Sequence, residues 1–116
     1  DPMGVMWHGN YVKYLEMARC RLLDELNFNY IKMQNRGFAL PIIKMDLKYI
    51  NPIYFNDDFI VEIRLVECDI TLKFNYILLS KDNQIIAKAS TTQVAVTLNK
   101  ETLYVIPDEL KFALNQ

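Results

Sequence analysis

The stretch Asp1-Pro2-Met3-Gly4-Val5-Met6-Trp7-His8-Gly9-Asn10-Tyr11 gathers a carboxylate, the single His and the single Trp just ahead of a helical pattern. A helix N-terminus offers backbone N–H groups that lack an intrahelical partner, together with a partial positive charge. Donors of this kind, aimed at a carbonyl oxygen, stabilise the oxyanion that forms when the carbonyl is attacked. A carboxylate within reach serves as nucleophile or as general base for a water. These are the parts of an acyl hydrolase that has no Ser or Cys nucleophile motif. Taken singly, each part also has a plainer use. Asp-Pro opens a turn, His8 caps a helix or sits on the surface, Gly9 permits a tight entry, and Trp7 packs in the core.

The elements that must position this segment follow from periodicity. Over residues 10–27, Tyr11, Tyr14, Leu15, Ala18, Leu22 and Leu26 recur at spacings of three and four, which predicts a helix with Asn10 as N-cap. Lys13, Glu16, Arg19 and Asp24 fall away from that stripe, and Asn27 or Asn29 supplies the stop. A short helical turn over 30–35 closes at Gly37. The period then changes to two. Ile43, Met45, Leu47 and Tyr49 form one strand face, Phe59, Val61, Ile63 and Leu65 a second, and Leu72, Phe74, Tyr76 and Leu78 a third. The fourth strand, 85–98, changes phase partway, which predicts a bulge near 90–93. Pro107 opens a terminal helix over 108–114. The expected class is α+β: one long apolar helix against a curved antiparallel sheet with open edges that invite a second chain.

Composition narrows the function. The chain has 116 residues, and 13 Lys and Arg against 14 Asp and Glu leave a net charge of −1. That length fits one domain, residues 1–116. The charge balance supplies no basic footprint for nucleic acid, and no apolar run is long enough for a membrane span. Two well-separated cysteines and one His do not make a zinc site, so no metal is expected, and free thiols point to the cytoplasm.

The string from Asp1 to Tyr11, followed by Tyr14-Leu15-Glu16-Met17-Ala18-Arg19, closely resembles the 4-hydroxybenzoyl-CoA thioesterase family of hotdog-fold proteins. The likeness is greatest to the branch of acyl-CoA thioesterases associated with the Tol–Pal system. Pro41-Ile42-Ile43, the Tyr49-x-x-Pro52 break, Asp57-Asp58 and Ile106-Pro107 fit the same pattern. The resemblance implies a hotdog fold, in which an antiparallel five-stranded sheet wraps a central helix. It also implies a strand ahead of Asp1, so the sequence reads as such a domain without its first strand. Homodimers joined edge to edge, pairing again into tetramers, belong to the same expectation.

The activity implied is hydrolysis of an acyl-CoA thioester with no cofactor. Asp1 matches the catalytic carboxylate. His8 stands at the helix entry whose backbone N–H polarises the carbonyl, its imidazole a possible assistant, with Gly9 and Asn10 shaping the oxyanion site. Trp7, Tyr11, Phe38, Leu40, Pro41 and Ile42 are the expected acyl-binding residues, on the helix and in a neighbouring subunit. An apolar lining favours medium-chain or aromatic acyl groups. Lys44, Lys48, Arg64, Lys73 and Lys88 suit the CoA phosphates or, equally, a solvated face. Acyl carrier protein is a second possible carrier, and a non-catalytic protein that binds acyl-CoA or acyl carrier protein is the alternative function.

Overall fold

The computed structural model describes residues 8–52 and 58–115, with side chains described from Tyr11 onward. Helix α1 spans His8–Glu25 and buries a line at every fourth residue: Tyr11, Leu15, Arg19 and Leu23. Tyr14, Ala18 and Leu22 flank that line half-buried. The helix starts two residues before Asn10, so Asn10 lies in its first turn and is not its N-cap. At the other end Asn27 takes a left-handed conformation (φ 56°) and Phe28 N donates back to Leu23 O at 2.9 Å. Asn tolerates this conformation better than most residues, and it stops the helix.

Asn29 then begins the next element. Its Oδ1 accepts from Lys32 N at 2.9 Å and caps α2, Tyr30–Asn35. Gly37 follows at φ 91°, a value that disfavours any side chain. Strand β1, Phe38–Ala39, pairs antiparallel with β6, Val96–Thr97.

The main sheet contains β2 (Ile42–Tyr49), β3 (Phe59–Cys68), β4 (Leu72–Ser80) and β5 (Ile85–Gln93). Its order is β2-β5-β4-β3, antiparallel throughout. One face is the core: Leu72, Phe74, Tyr76 and Leu78 of β4 are buried beside Ala87, Ala89 and Thr91 of β5. Helix α1 lies across this face. Tyr11 meets Tyr49 of β2 edge-on at 5.0 Å, and Tyr14 meets Phe59 of β3 at 4.8 Å. Helix α3, Asp108–Leu114, closes the end of the sheet by burying Leu110 and pairing Lys111 with Asp69 at 2.9 Å.

Three expectations need correcting. Arg19 is buried, not solvent-facing, because the sheet beneath it offers phenol and hydroxyl partners. The strand expected over 85–98 ends at Gln93, and its phase changes at Ile86, not near 90–93: Leu78 and Leu79 of β4 pair with Ala87 and Ile85, and Ile86 and Ala87 are both buried. Ala87, Ala89, Thr91, Gln93 and Ala95 are all buried, so the odd positions stay inward. The chain leaves the sheet where Gln93 Nε2 donates to Leu40 O at 2.7 Å and Val94 N donates to Pro41 O at 3.2 Å. At the 90–93 end the register shift lies on the facing strand, between Ile42 and Lys44.

Candidate active site

Helix α1 begins at His8, so the first-turn N–H groups include those of His8, Gly9 and Asn10. Such groups have no intrahelical acceptor and carry the positive end of the helix dipole. No acidic residue stands in that turn to neutralise them. Asp1 and Trp7 lie outside the described residues, as do the side chains of His8 and Asn10.

The helix start is fixed beside the end of β2. Tyr11 is buried against Tyr49, and the chain beyond Tyr49 is tied to β5 by Ile50 N and Asn51 N, both donating to Ile86 O. Asn51 Nδ2 adds a bond to Ile85 O at 2.8 Å. Burial, with Tyr49 nearby, pushes the Tyr11 phenol above its ordinary 10.0. Burial also raises Tyr49. Both phenols therefore stay neutral near pH 7. They can serve as walls and hydrogen-bond donors but not as bases.

Two turns further along α1 is a buried polar cluster that the periodicity placed on the wrong side. Arg19 Nη1 donates to the Tyr76 hydroxyl at 3.2 Å, and that oxygen lies 2.6 Å from Thr91 Oγ1. With Arg19 as donor, the phenol is free to give its own proton to Thr91. Burial opposes charge on Arg19, yet bonds and electrostatic contact with Tyr76 and Tyr30 outweigh it and raise its pKa. Arg19 Nε has no hydrogen-bond partner among the described residues. The spacing 11-15-19-23 is the signal that could have found this residue.

The other expected acyl-binding residues sit elsewhere. Phe38 and Leu40 are buried, Phe38 against Phe28 with ring centroids 6.1 Å apart. Pro41 and Ile42 are exposed at the start of β2. Tyr11 touches the opposite end of that strand, roughly 24 Å away at about 3.4 Å per residue. One chain does not bring Tyr11 together with Phe38, Leu40, Pro41 and Ile42. Lys44, Lys48, Arg64, Lys73 and Lys88 alternate with core-facing residues and so lie on the sheet face opposite α1. Both thiols, Cys20 and Cys68, are pushed up chiefly by burial, so neither is a ready thiolate. Among the described residues no three His, Cys, Asp or Glu side chains cluster as metal ligands.

Residues 1–114 match the family model described as the thioesterase-like superfamily. The chain belongs to that superfamily, and its architecture is the hotdog fold. It is a thioester hydrolase. An Aquifex aeolicus protein named "Putative esterase" is 32% identical over 115 residues, covering 93% of this chain and 89% of its own. A crystal structure of a hypothetical protein from Aquifex aeolicus superposes with a TM-score of 0.89 at 31% identity, covering 98% of this chain and 89% of the other. The 1,4-dihydroxy-2-naphthoyl-CoA thioesterase of Synechocystis shares the fold at a TM-score of 0.85 and 18% identity, covering 100% of this chain and 87% of the other. Among the described residues no helix is long and apolar enough to cross a membrane.

Proposed function

We propose that this chain is an acyl-CoA thioesterase of the 4-hydroxybenzoyl-CoA thioesterase branch, working in the cytoplasm with Asp1 as its catalytic carboxylate. The observation that carries this reading is the start of α1 at His8, with no acidic residue in its first turn. The N–H groups at His8, Gly9 and Asn10 draw electron density onto the thioester carbonyl oxygen. Asp1 then attacks the carbonyl carbon directly or removes a proton from an attacking water. In the first case the C–S bond breaks as CoA thiolate leaves, and water hydrolyses the resulting anhydride. In the second the tetrahedral oxyanion collapses to free acid and thiolate. A thiolate leaves readily, so one carboxylate suffices without a dedicated acid for the leaving group. The His8 imidazole assists at the helix entry.

Trp7, Tyr11 and the exposed Tyr49 bound the acyl group at the helix start, and Pro41 and Ile42 approach it from a second chain in a homodimer or homotetramer. Among the described residues β2 and β3 are the edge strands of the main sheet, and an open edge supports such pairing. The Synechocystis relative supports an aromatic acyl group, as does the Tyr11–Tyr49 pair. The test is a panel of aromatic and aliphatic acyl-CoAs of graded length, with the matching acyl carrier protein thioesters, read by release of free thiol. Turnover on one class supports the reading. Saturable binding of the panel with no thiol release identifies a binding protein instead.

A further inference from the structure

Backbone donors that polarise a carbonyl act at about 2.7–3.1 Å from the developing oxyanion, and a misplacement of about 1 Å costs on the order of a hundredfold in rate. The position of α1 along its own axis must therefore be fixed to a fraction of an ångström. Most of its buried contacts fix it poorly. Leu15 and Leu23 gain from burial alone, which has no direction. Tyr11 meets Tyr49 edge-on, as Tyr14 meets Phe59, and such ring pairs remain favourable over centroid separations of about 4.5–7 Å. A hydrogen bond tolerates far less displacement.

We propose that Arg19 is a positioning residue for thioester hydrolysis: its bond to Tyr76 sets the register of α1 on the sheet and so places the N–H groups at His8, Gly9 and Asn10. This rests on the reading that the start of α1 polarises the thioester. Arg19 Nη1 donates to the Tyr76 hydroxyl at 3.2 Å, and that hydroxyl is held in turn by Thr91 Oγ1 at 2.6 Å. The acceptor stands on firm ground, since β4 lies inside the sheet between β5 and β3. Tyr30 of α2 holds the same guanidinium by hydrogen bond and electrostatic contact, so the planar fork is fixed from two elements. Arg19 lies eleven residues beyond His8, roughly 16 Å at about 1.5 Å per residue. No Gly or Pro interrupts α1 after Gly9, so a displacement at Arg19 is carried along the helix to its start.

Stability alone does not account for an arginine at this place. Arg19 is buried, and its Nε has no hydrogen-bond partner among the described residues, a combination that costs free energy. An apolar side chain of similar length fills the same space without stranding a charge, because Tyr76 keeps its bond to Thr91. What the apolar replacement lacks is direction. A buried polar contact selects one packing arrangement where apolar burial alone accepts several, and one arrangement is what the helix start requires.

The test compares wild type, Arg19→Met, Arg19→Lys, Tyr76→Phe and Arg19→Met/Tyr76→Phe by thiol release on the best acyl-CoA of the panel, with amide NMR spectra of each. Urea midpoints confirm that every variant is folded under assay conditions. For Arg19→Met the proposal expects kcat to fall about tenfold or more with KM within about threefold, and the His8, Gly9 and Asn10 amide resonances to shift. Arg19→Lys, which keeps a charged donor, should recover part of the loss. The double variant should be no slower than Arg19→Met, because the two residues act as one unit. An Arg19→Met protein with wild-type kcat and unshifted amides overturns the proposal, as does a lowered kcat with unshifted amides, or a double variant whose loss is the product of the single losses. Shifted amides with wild-type kcat overturn instead the reading that the start of α1 polarises the thioester, and the proposal falls with it. Should Arg19→Met misfold, Arg19→Lys and Tyr76→Phe carry the same comparison of kcat with amide shifts.

Discussion

Arg19 of α1 and Tyr76 of β4 are 57 residues apart and meet in the core at 3.2 Å, tying the helix to the centre of the sheet. Arg19 is 4% exposed and Tyr76 1%. Removing one member of such a pair strands the other. Tyr76→Phe should cost about 1.5–3 kcal/mol, the range for a lost hydrogen bond to a charged group. Arg19→Ala should cost more than Arg19→Met, which removes the buried charge but keeps most of the volume. Urea denaturation of the three variants checks the order.

Burial pushes Tyr76 up, against the opposing hydrogen bonds from Arg19 and Thr91. Tyr11 and Tyr49 are raised as well. Each folded-state phenol thus holds its proton to higher pH than in the unfolded chain. The stability this contributes is fully present below about pH 10 and is lost as pH climbs through the raised values. Urea midpoints should stay level up to about pH 9 and fall beyond about pH 10, with a shallower alkaline fall in Tyr76→Phe.

Leu78 is fully buried in β4, whereas Phe112 on α3 is 71% exposed. Leu78→Ala should cost about 2–5 kcal/mol because it loses apolar burial and opens a cavity. Phe112→Ser should fall within about 0.5 kcal/mol of wild type. Thermal and urea unfolding separate the two readily.

A Cβ on Gly37 would meet nothing within 4 Å, yet the residue sits at φ +91°. Gly37→Ala should therefore cost about 1–2 kcal/mol from backbone strain alone. A crystal structure of the variant should show the neighbouring side chains unmoved.

Strand β4 was legible because Leu72, Phe74, Tyr76 and Leu78 recur at every second position and all four are buried, while Ile77 and Leu79 between and after them are only half-buried. The α1–α2 junction was legible in part: Asn27 is one of the two stops the sequence offers, whereas Asn29, the other, caps α2 instead. Arg19 was not, because a wheel sorts residues by polarity and cannot see the hydroxyls waiting on the opposing sheet. The end of β5 was missed for a similar reason. Gln93 is polar but buried, held by the Leu40 carbonyl. Strand β2 was only partly readable, since the register shift after Ile42 leaves Ile43 exposed. Of the candidate site, the Tyr11 position follows from the chain's own pattern, whereas the helix starts at His8, ahead of the cap expected at Asn10. The role of Asp1 rests on the resemblance of the segment that contains it.

We propose that Asp1 performs the chemistry at a helix start that polarises the thioester. The direct measurement is thiol release by purified Asp1→Asn against wild type on the best substrate of the acyl-CoA panel, with binding of a non-hydrolysable thioether analogue measured in parallel. The substitution removes the charge and leaves the size nearly unchanged. Turnover should fall by at least about a hundredfold, the scale of a lost acid–base or nucleophilic group, while analogue affinity holds. A variant that keeps the wild-type kcat would contradict the account.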